Sequence, residues 1–160
     1  MQASARIRPA TVPDAPAIAR VHLQCWRETY GDLVPADVYA DREAGGAQAW
    51  EELLAEPGSN MTWVAERDGE LVGFAMAAAE GPAAVRPLQL RFLFVLAAEQ
   101  GRRTGSHLVE LAVGDAPCFL WVVESNTRAQ GFYRHQGFEA DGARQAVAAD
   151  GHLPEIRMVR

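Results

Sequence analysis

Hydrophobic and polar positions alternate over Ala5-Arg6-Ile7-Arg8-Pro9, the pattern of a short strand. Ala17, Ile18, Val21, His22 and Cys25 then recur at steps of three and four, which predicts an amphipathic helix. Pro13-Asp14 opens it, with Thr11 or Asp14 near its N-terminus, and Trp26, Glu28 and Tyr30 fall at its far end. Gly31-Asp32-Leu33-Val34-Pro35 breaks the pattern. A second helical stretch covers Ala36 to Ala55, with an interruption expected at Gly45-Gly46, and Pro57-Gly58-Ser59-Asn60 ends it. Met61–Arg67 and Glu70–Met76 flank Asp68-Gly69, the signal of a tight hairpin. The apolar run Leu88 to Leu96 reads as a strand, and Leu108, Val109, Leu111 and Ala112 as the next helix. After Gly114-Asp115-Ala116-Pro117, Cys118–Val123 is continuously apolar, as in a strand covered on both faces. Asn126 caps a helix from Thr127 to Gln136 that Gly137 ends. Final strands are expected around Phe138-Glu139-Ala140 and from Leu153 to Val159. The order predicts an α/β chain: a mixed sheet with helices on both faces.

Composition narrows the class. A chain of 160 residues, 49% hydrophobic and 22% charged, suits one globular domain spanning 1–160 with a real core. No apolar stretch is long enough for a membrane span, and Met1 to Arg6 leads into a strand pattern without a secretory segment, so a cytoplasmic protein with no membrane partner is expected. Cys25 and Cys118 are read as reduced and structural. His22, His107, His135 and His152 lack metal-ligand spacing, so no metal is expected. A net charge of -6 argues against a nucleic-acid partner. An acidic surface suits a cationic substrate, or simply solubility.

The segment that carries chemistry is Phe94-Val95-Leu96-Ala97-Ala98-Glu99-Gln100-Gly101-Arg102-Arg103-Thr104-Gly105-Ser106: strand, turn, helix start. The first N–H groups of a helix lack intrahelical partners, and with the helix dipole they form a seat for a phosphate. Gly101, Gly105 and Ser106 keep bulk away, and Arg102 and Arg103 add charge. The same glycines would also serve an ordinary tight turn. With no lysine in the chain there is no G-x-x-x-x-G-K-[ST] loop, and no G-x-G-x-x-G occurs either.

In this order of elements the chain resembles the GNAT superfamily of acyl-CoA-dependent N-acyltransferases, whose fold is a mostly antiparallel sheet of six to seven strands. The family signature [QR]-x-x-G-x-[GA] reads here Gln100-Gly101-Arg102-Arg103-Thr104-Gly105. Arg103 stands where the family has its first glycine; we expect an ordinary backbone there, with the arginine serving phosphates. A stronger block, Val123 to Phe138, holds the family's Asn, its Phe-Tyr pair and its Gly-Phe ending. Arg8–Thr11 with Trp26–Tyr30, and Gly151–Arg160, resemble the family's first and last blocks.

The resemblance implies transfer of an acetyl group from acetyl-CoA (coenzyme A) to an amine of a small molecule or peptide, with a homodimer possible. It assigns the diphosphate to the amides of Gln100 to Ser106, and the thioester arm to the strand edge at Phe94, Val95 and Leu96. Asn126, Arg128 and Phe132 fall beside the same arm. Val95 N–H is expected to stabilise the oxyanion, and Tyr133 to act as general acid. Trp26, Glu28 and Tyr30 are expected to wall the acceptor pocket, Glu28 pairing with a cationic amine. Family members often carry a glutamate on the fourth strand, but Leu88-Gln89-Leu90-Arg91-Phe92-Leu93 has no carboxylate. Glu124, Glu80 or a chain of waters would then take the amine's proton. The missing carboxylate and Arg103 also leave open a CoA-binding sensor without catalysis. A flavodoxin-like phosphate binder conflicts with the hairpin from Met61 to Met76.

Overall fold

The computed structural model describes residues 3–148 and 151–160. Strand β1 (Arg6–Pro9) enters a one-turn 3-10 segment, Val12–Asp14, that leads into helix α1 (Ala15–Tyr30). Thr11 N–H donates to Asp14 Oδ2 at 2.8 Å, closing the box that starts the helix. Helix α2 (Ala36–Ala55) follows and is continuous through Gly45 and Gly46, contrary to the expected interruption. The reason is packing. A Cβ on Gly46 would sit 3.5 Å from Ala19 Cβ, so the small residue lies where α2 crosses α1. Strands β2 (Asn60–Arg67) and β3 (Glu70–Ala79) form the expected hairpin. Asp68 and Gly69 have φ of 53° and 82°, the two positive values that a type I′ turn demands.

Strand β4 (Leu88–Val95), helix α3 (Thr104–Val113), strand β5 (Cys118–Val123), helix α4 (Thr127–His135), and strands β6 (Glu139–Ala146) and β7 (Pro154–Val159) complete the order. The sheet runs β1-β2-β3-β4-β5-β7-β6, antiparallel throughout except for the β4–β5 pair. Strand β6 outruns the expectation at Phe138–Ala140, because an irregularity between Ala140 and Arg144 absorbs Asp141-Gly142 and pairing resumes beyond it.

Each face of the sheet has its own core. Leu108, Val109 and Ala112 of α3 and Tyr133 of α4 pack with Ala75, Leu90, Leu120, Val122 and Met158 on one face. Ile18, Val21 and Cys25 of α1 and Trp50 of α2 pack with Val64, Phe74 and Met76 on the other. Leu111, predicted with the apolar stripe of α3, is 47% exposed. No helix among the described residues is long and apolar enough to cross a membrane, and no group of three or more His, Cys, Asp or Glu among them is placed to hold a metal ion.

Candidate active site

Among the described residues, β4 and β5 pair at Leu88–Cys118 and Gln89–Phe119 and then part. The C-terminal half of β4 is left with a partner on one side only. The parity of the ladder shows which groups this exposes. Leu96 N–H donates to Val72 O at 3.0 Å, and Phe94 stands opposite Phe74. Alternate residues of an antiparallel pair bond to the same neighbour. The amides of Leu93 and Val95 therefore point the other way, into the gap. Gln100 Nε2 reaches Val95 O at 3.3 Å from that side.

At the end of β4 the chain makes a single 3-10 turn, Ala97–Glu99, and then the Gly- and Arg-rich loop. Gly101 has φ +82°, which glycine adopts freely. Arg103, at the N-cap of α3, has φ 67° and ψ 3°, the left-handed conformation. This corrects the expectation of an ordinary backbone there: the loop has the shape that suits the family's glycine, and the arginine bears its steric cost. Gly105 allows a close fit, since a Cβ there would lie 3.5 Å from the Phe132 ring and 3.9 Å from Val95 Cγ2. Ser106 Oγ accepts from Gln136 Nε2 at 3.4 Å, so α4 is tied to the first turn of α3.

Sequence reasoning missed the group that holds this turn in place. Glu99 is 4% exposed. Its carboxylate accepts from Arg67 Nε at 2.5 Å and Nη2 at 3.0 Å, and from Thr104 Oγ1 at 3.1 Å. Arg67 is also bonded to Ala3 O, and Arg102 Nη1 stands 3.6 Å from Glu99. The Arg67 bonds, then the Thr104 hydroxyl, hold the Glu99 carboxyl below its ordinary range. The cue in the sequence was a carboxylate just ahead of a helix N-terminus, where the dipole favours it. Arg102, Arg103 and Arg128 are exposed around the turn and the start of α4.

Helix α4 brings its residues to the same place. Asn126 Oδ1 accepts from Ala129 N–H at 3.1 Å, a working N-cap. Gln130 Nε2 bonds Val123 O at 3.3 Å and Glu124 O at 2.7 Å, fastening α4 to the end of β5. Tyr133 is 8% exposed and its ring packs edge-on to Phe132 and Phe138. Burial pushes its phenol well above the ordinary value, and Tyr30 adds to the shift. Tyr30 ends α1 on one side of the sheet and Tyr133 rides on α4 on the other.

On the α1 side Trp26 is 5% exposed, stacked under the Arg42 guanidinium at 4.2 Å and edge-on to Tyr30 at 5.4 Å. Glu28 is exposed, and its Oε1 accepts from Ala97 N–H at 3.3 Å, at the exit of β4. The turn between α1 and α2 meets the β6–β7 connection: a Cβ on Gly151 would lie 3.3 Å from Pro35 Cδ and 3.8 Å from Val34 Cγ1. The two carboxylates considered for the amine's proton are both ion-paired, Glu124 to Arg144 at 2.5 Å and Glu80 to Arg91 at 2.9 Å.

A sheet that opens between two parallel strands, beside a turn that runs into the start of a helix, brings an open strand edge and helix N-terminal amides together. Comparison with known proteins gives the family. The chain matches the Acetyltransferase (GNAT) family over residues 16–138 and belongs to it. It is 31% identical over 147 residues to a probable N-acetyltransferase of Mycobacterium tuberculosis (strain ATCC 25618 / H37Rv), a match covering 86% of this chain and 81% of that one. Its fold is similar to that of the PaiA N-acetyltransferase of Thermoplasma acidophilum, solved in complex with coenzyme A, at a TM-score of 0.77 and 19% identity over 97% of this chain and 98% of that one. An acetyltransferase of Thermus thermophilus is also similar, with TM-score 0.68 and 23% identity over 100% and 99% of the two chains. The chain is thus an acyl-CoA-dependent acetyltransferase, and its co-substrate is acetyl-CoA.

Proposed function

We propose that residues 1–160 work as one unit that moves an acetyl group from acetyl-CoA to a primary amine of a small molecule or peptide, by direct attack. The observation that carries this reading is the open edge of β4 beside the turn. The residues present fit such a ligand. The Leu93 amide offers an added-strand partner to the pantetheine amides, and the Val95 amide faces the same gap, toward the thioester end of the arm. The N-terminal amides of α3 and the exposed Arg102, Arg103 and Arg128 suit the diphosphate. Gln100 and Gly101 shape the turn, and Gly105 and Ser106 give it room. Phe94, Leu96, Asn126 and Phe132 flank the arm.

In the reaction a neutral amine's lone pair forms the new N–C bond as the C–S bond breaks, and the nitrogen then releases a proton to solvent, from which the Tyr133 phenol is restored. Val95 N–H, fixed by the sheet, donates to the thioester oxygen as charge gathers on it. Such a donor is worth roughly 10²–10³ in rate. A tyrosine phenol, with an ordinary pKa of about 10, is protonated at neutral pH, so the Tyr133 hydroxyl has a proton to give the departing thiolate. Trp26 and Tyr30 form the acceptor-side wall.

Calorimetry with acetyl-CoA and coenzyme A, together with detection of free thiol on mixing acetyl-CoA with a panel of amines, tests the reading. Binding with amine-dependent thiol release is expected. No affinity for either form of the coenzyme would end it.

A further inference from the structure

Two side chains from different elements sit on the edge of β4 that faces the gap. Gln100 Nε2 donates to Val95 O at 3.3 Å, and Glu28 Oε1 accepts from Ala97 N–H at 3.3 Å. The N–H and C=O of one strand residue point to the same side, so Val95 O faces the gap as the Val95 N–H does. Leu96 is extended, with φ -54° and ψ 144°, and gives its own N–H to Val72 O of β3. The Ala97 N–H therefore turns back toward the gap.

These two backbone groups form a set. In a parallel pair, one residue of the neighbouring strand donates its N–H to the C=O of one residue and accepts at its C=O from the N–H two residues on. Strand β5 runs parallel to β4 but pairs with it, among the described residues, only at Leu88–Cys118 and Gln89–Phe119. At Val95 and Ala97 a donor from the turn and an acceptor from the last turn of α1 stand where such a residue would be. The polarity matches at both ends. Gln100 and Glu28 are both exposed, so each can swing into water and keep its polar atoms hydrated.

An arm of linked amides laid along this edge, with its diphosphate at the turn, needs the same two groups. The Ala97 N–H has one proton to give, and Gln100 approaches Val95 O from the side the arm would occupy. We infer that Gln100 and Glu28 form a two-sided latch on the thioester channel, holding the place of the pantetheine arm and displaced by it when acetyl-CoA binds. This rests on the acetyl-transfer reading. Gln100 yields Val95 O to an N–H of the arm, and Glu28 yields the Ala97 N–H to one of its carbonyls. Each exchange trades one hydrogen bond for another, so the latch weakens binding of the arm without blocking it.

The test separates the arm from the diphosphate. Dissociation constants are measured by calorimetry for acetyl-CoA and for 3′-phospho-ADP, which lacks the arm, and their ratio reports what the arm contributes. Gln100→Ala and Glu28→Ala remove one side of the latch each. Each should raise the ratio in favour of acetyl-CoA by about three- to tenfold, the worth of one displaced hydrogen bond. A ratio that falls, or stays within about twofold of wild type, in either variant overturns the inference. The wild-type protein gives a second measurement. In crystals grown with coenzyme A, Gln100 Nε2 should lie beyond hydrogen-bond reach of Val95 O, and Glu28 Oε1 beyond reach of the Ala97 N–H. Retention of either bond beside a bound arm overturns the latch and leaves the acetyl-transfer reading in place. Wild-type protein with no affinity for acetyl-CoA overturns that reading itself, and the inference with it.

Discussion

Arg103 concentrates the conflict between this sequence and its turn. A left-handed backbone costs an L-residue roughly 1–2 kcal/mol relative to the right-handed one, and glycine escapes that cost. The conformation persists because its surroundings fix it: Arg102 N–H bonds Glu99 O at 3.3 Å, and His107 N–H bonds Arg103 O at 3.0 Å. Arg103→Gly should therefore stabilise the fold. A gain of about 1 kcal/mol, reduced by the extra freedom of an unfolded glycine, raises the melting temperature by about 2–4 °C in a chain of this size. Thermal unfolding followed by circular dichroism checks it, and a lower melting temperature would show that the arginine side chain holds the turn. Tyr133 raises a different question, because its ring is core while its hydroxyl is chemistry. Tyr133→Phe removes only the hydroxyl. Turnover should drop by about 10²-fold with acetyl-CoA affinity nearly unchanged, read from steady-state kcat and calorimetric Kd. Equal losses in both would assign the residue to packing.

At the scale of elements, the turn after β4 is held from two strands away. Arg67, the last residue of β2, grips Glu99 through two nitrogens, and Glu99 in turn takes the Thr104 hydroxyl at the first residue of α3. Glu99→Gln keeps the size but loses the charge, at a cost of roughly 1.5–3 kcal/mol for bonds to a charged group. A loosened turn should raise the KM for acetyl-CoA by about tenfold and leave kcat close to wild type, because only binding depends on it. An unchanged KM would mean that the α3 amides keep their places without the clamp. The clamp also marks the limit of what the sequence could tell. The hairpin was legible because Asp68-Gly69 carries its own turn chemistry, and β5 because six apolar residues stand between breaks. The continuity of α2 was not, since Gly45-Gly46 looks like a break until Ala19 is seen against it. The end of β6 was missed because Asp141-Gly142 imitates a turn and is in fact a bulge. The site was legible where it follows a local pattern, as at Gln100–Ser106 and Asn126–Tyr133. The parting of β4 from β5 is a property of the sheet, and Glu99 is gripped by Arg67, which lies 32 residues away in the chain.

For the molecule as a whole, the face under α1 and α2 contains an ionisable group in an aromatic nest. The His22 ring lies 4.7 Å from Phe94, 5.3 Å from Phe92, 5.7 Å from Phe74, 6.0 Å from Trp26 and 6.1 Å from Trp50, and its Nε2 has no hydrogen-bond partner among the described residues. Burial, then the nearby Arg42, lowers its pKa from 6.5 to about 3. The sign of the effect on stability follows. Below pH 6.5 the unfolded chain binds a proton at this histidine and the folded chain does not, so protons favour the unfolded state. Stability is full above pH 6.5 and falls with acid, by about 1.4 kcal/mol per pH unit, until the folded form also titrates. The carboxyls that the fold displaces downward, Asp14 (to about 2), Glu99 and Asp141, start from 3.8 or 4.5 and release their contributions only at lower pH. Between pH 7 and pH 5 the unfolding free energy from urea titration should thus fall by about 2 kcal/mol through His22. His22→Phe keeps an aromatic ring in the nest and cannot titrate. Its urea midpoint should stay nearly level between those two pH values, and a variant as acid-sensitive as the wild type would place the source of the slope elsewhere in the molecule.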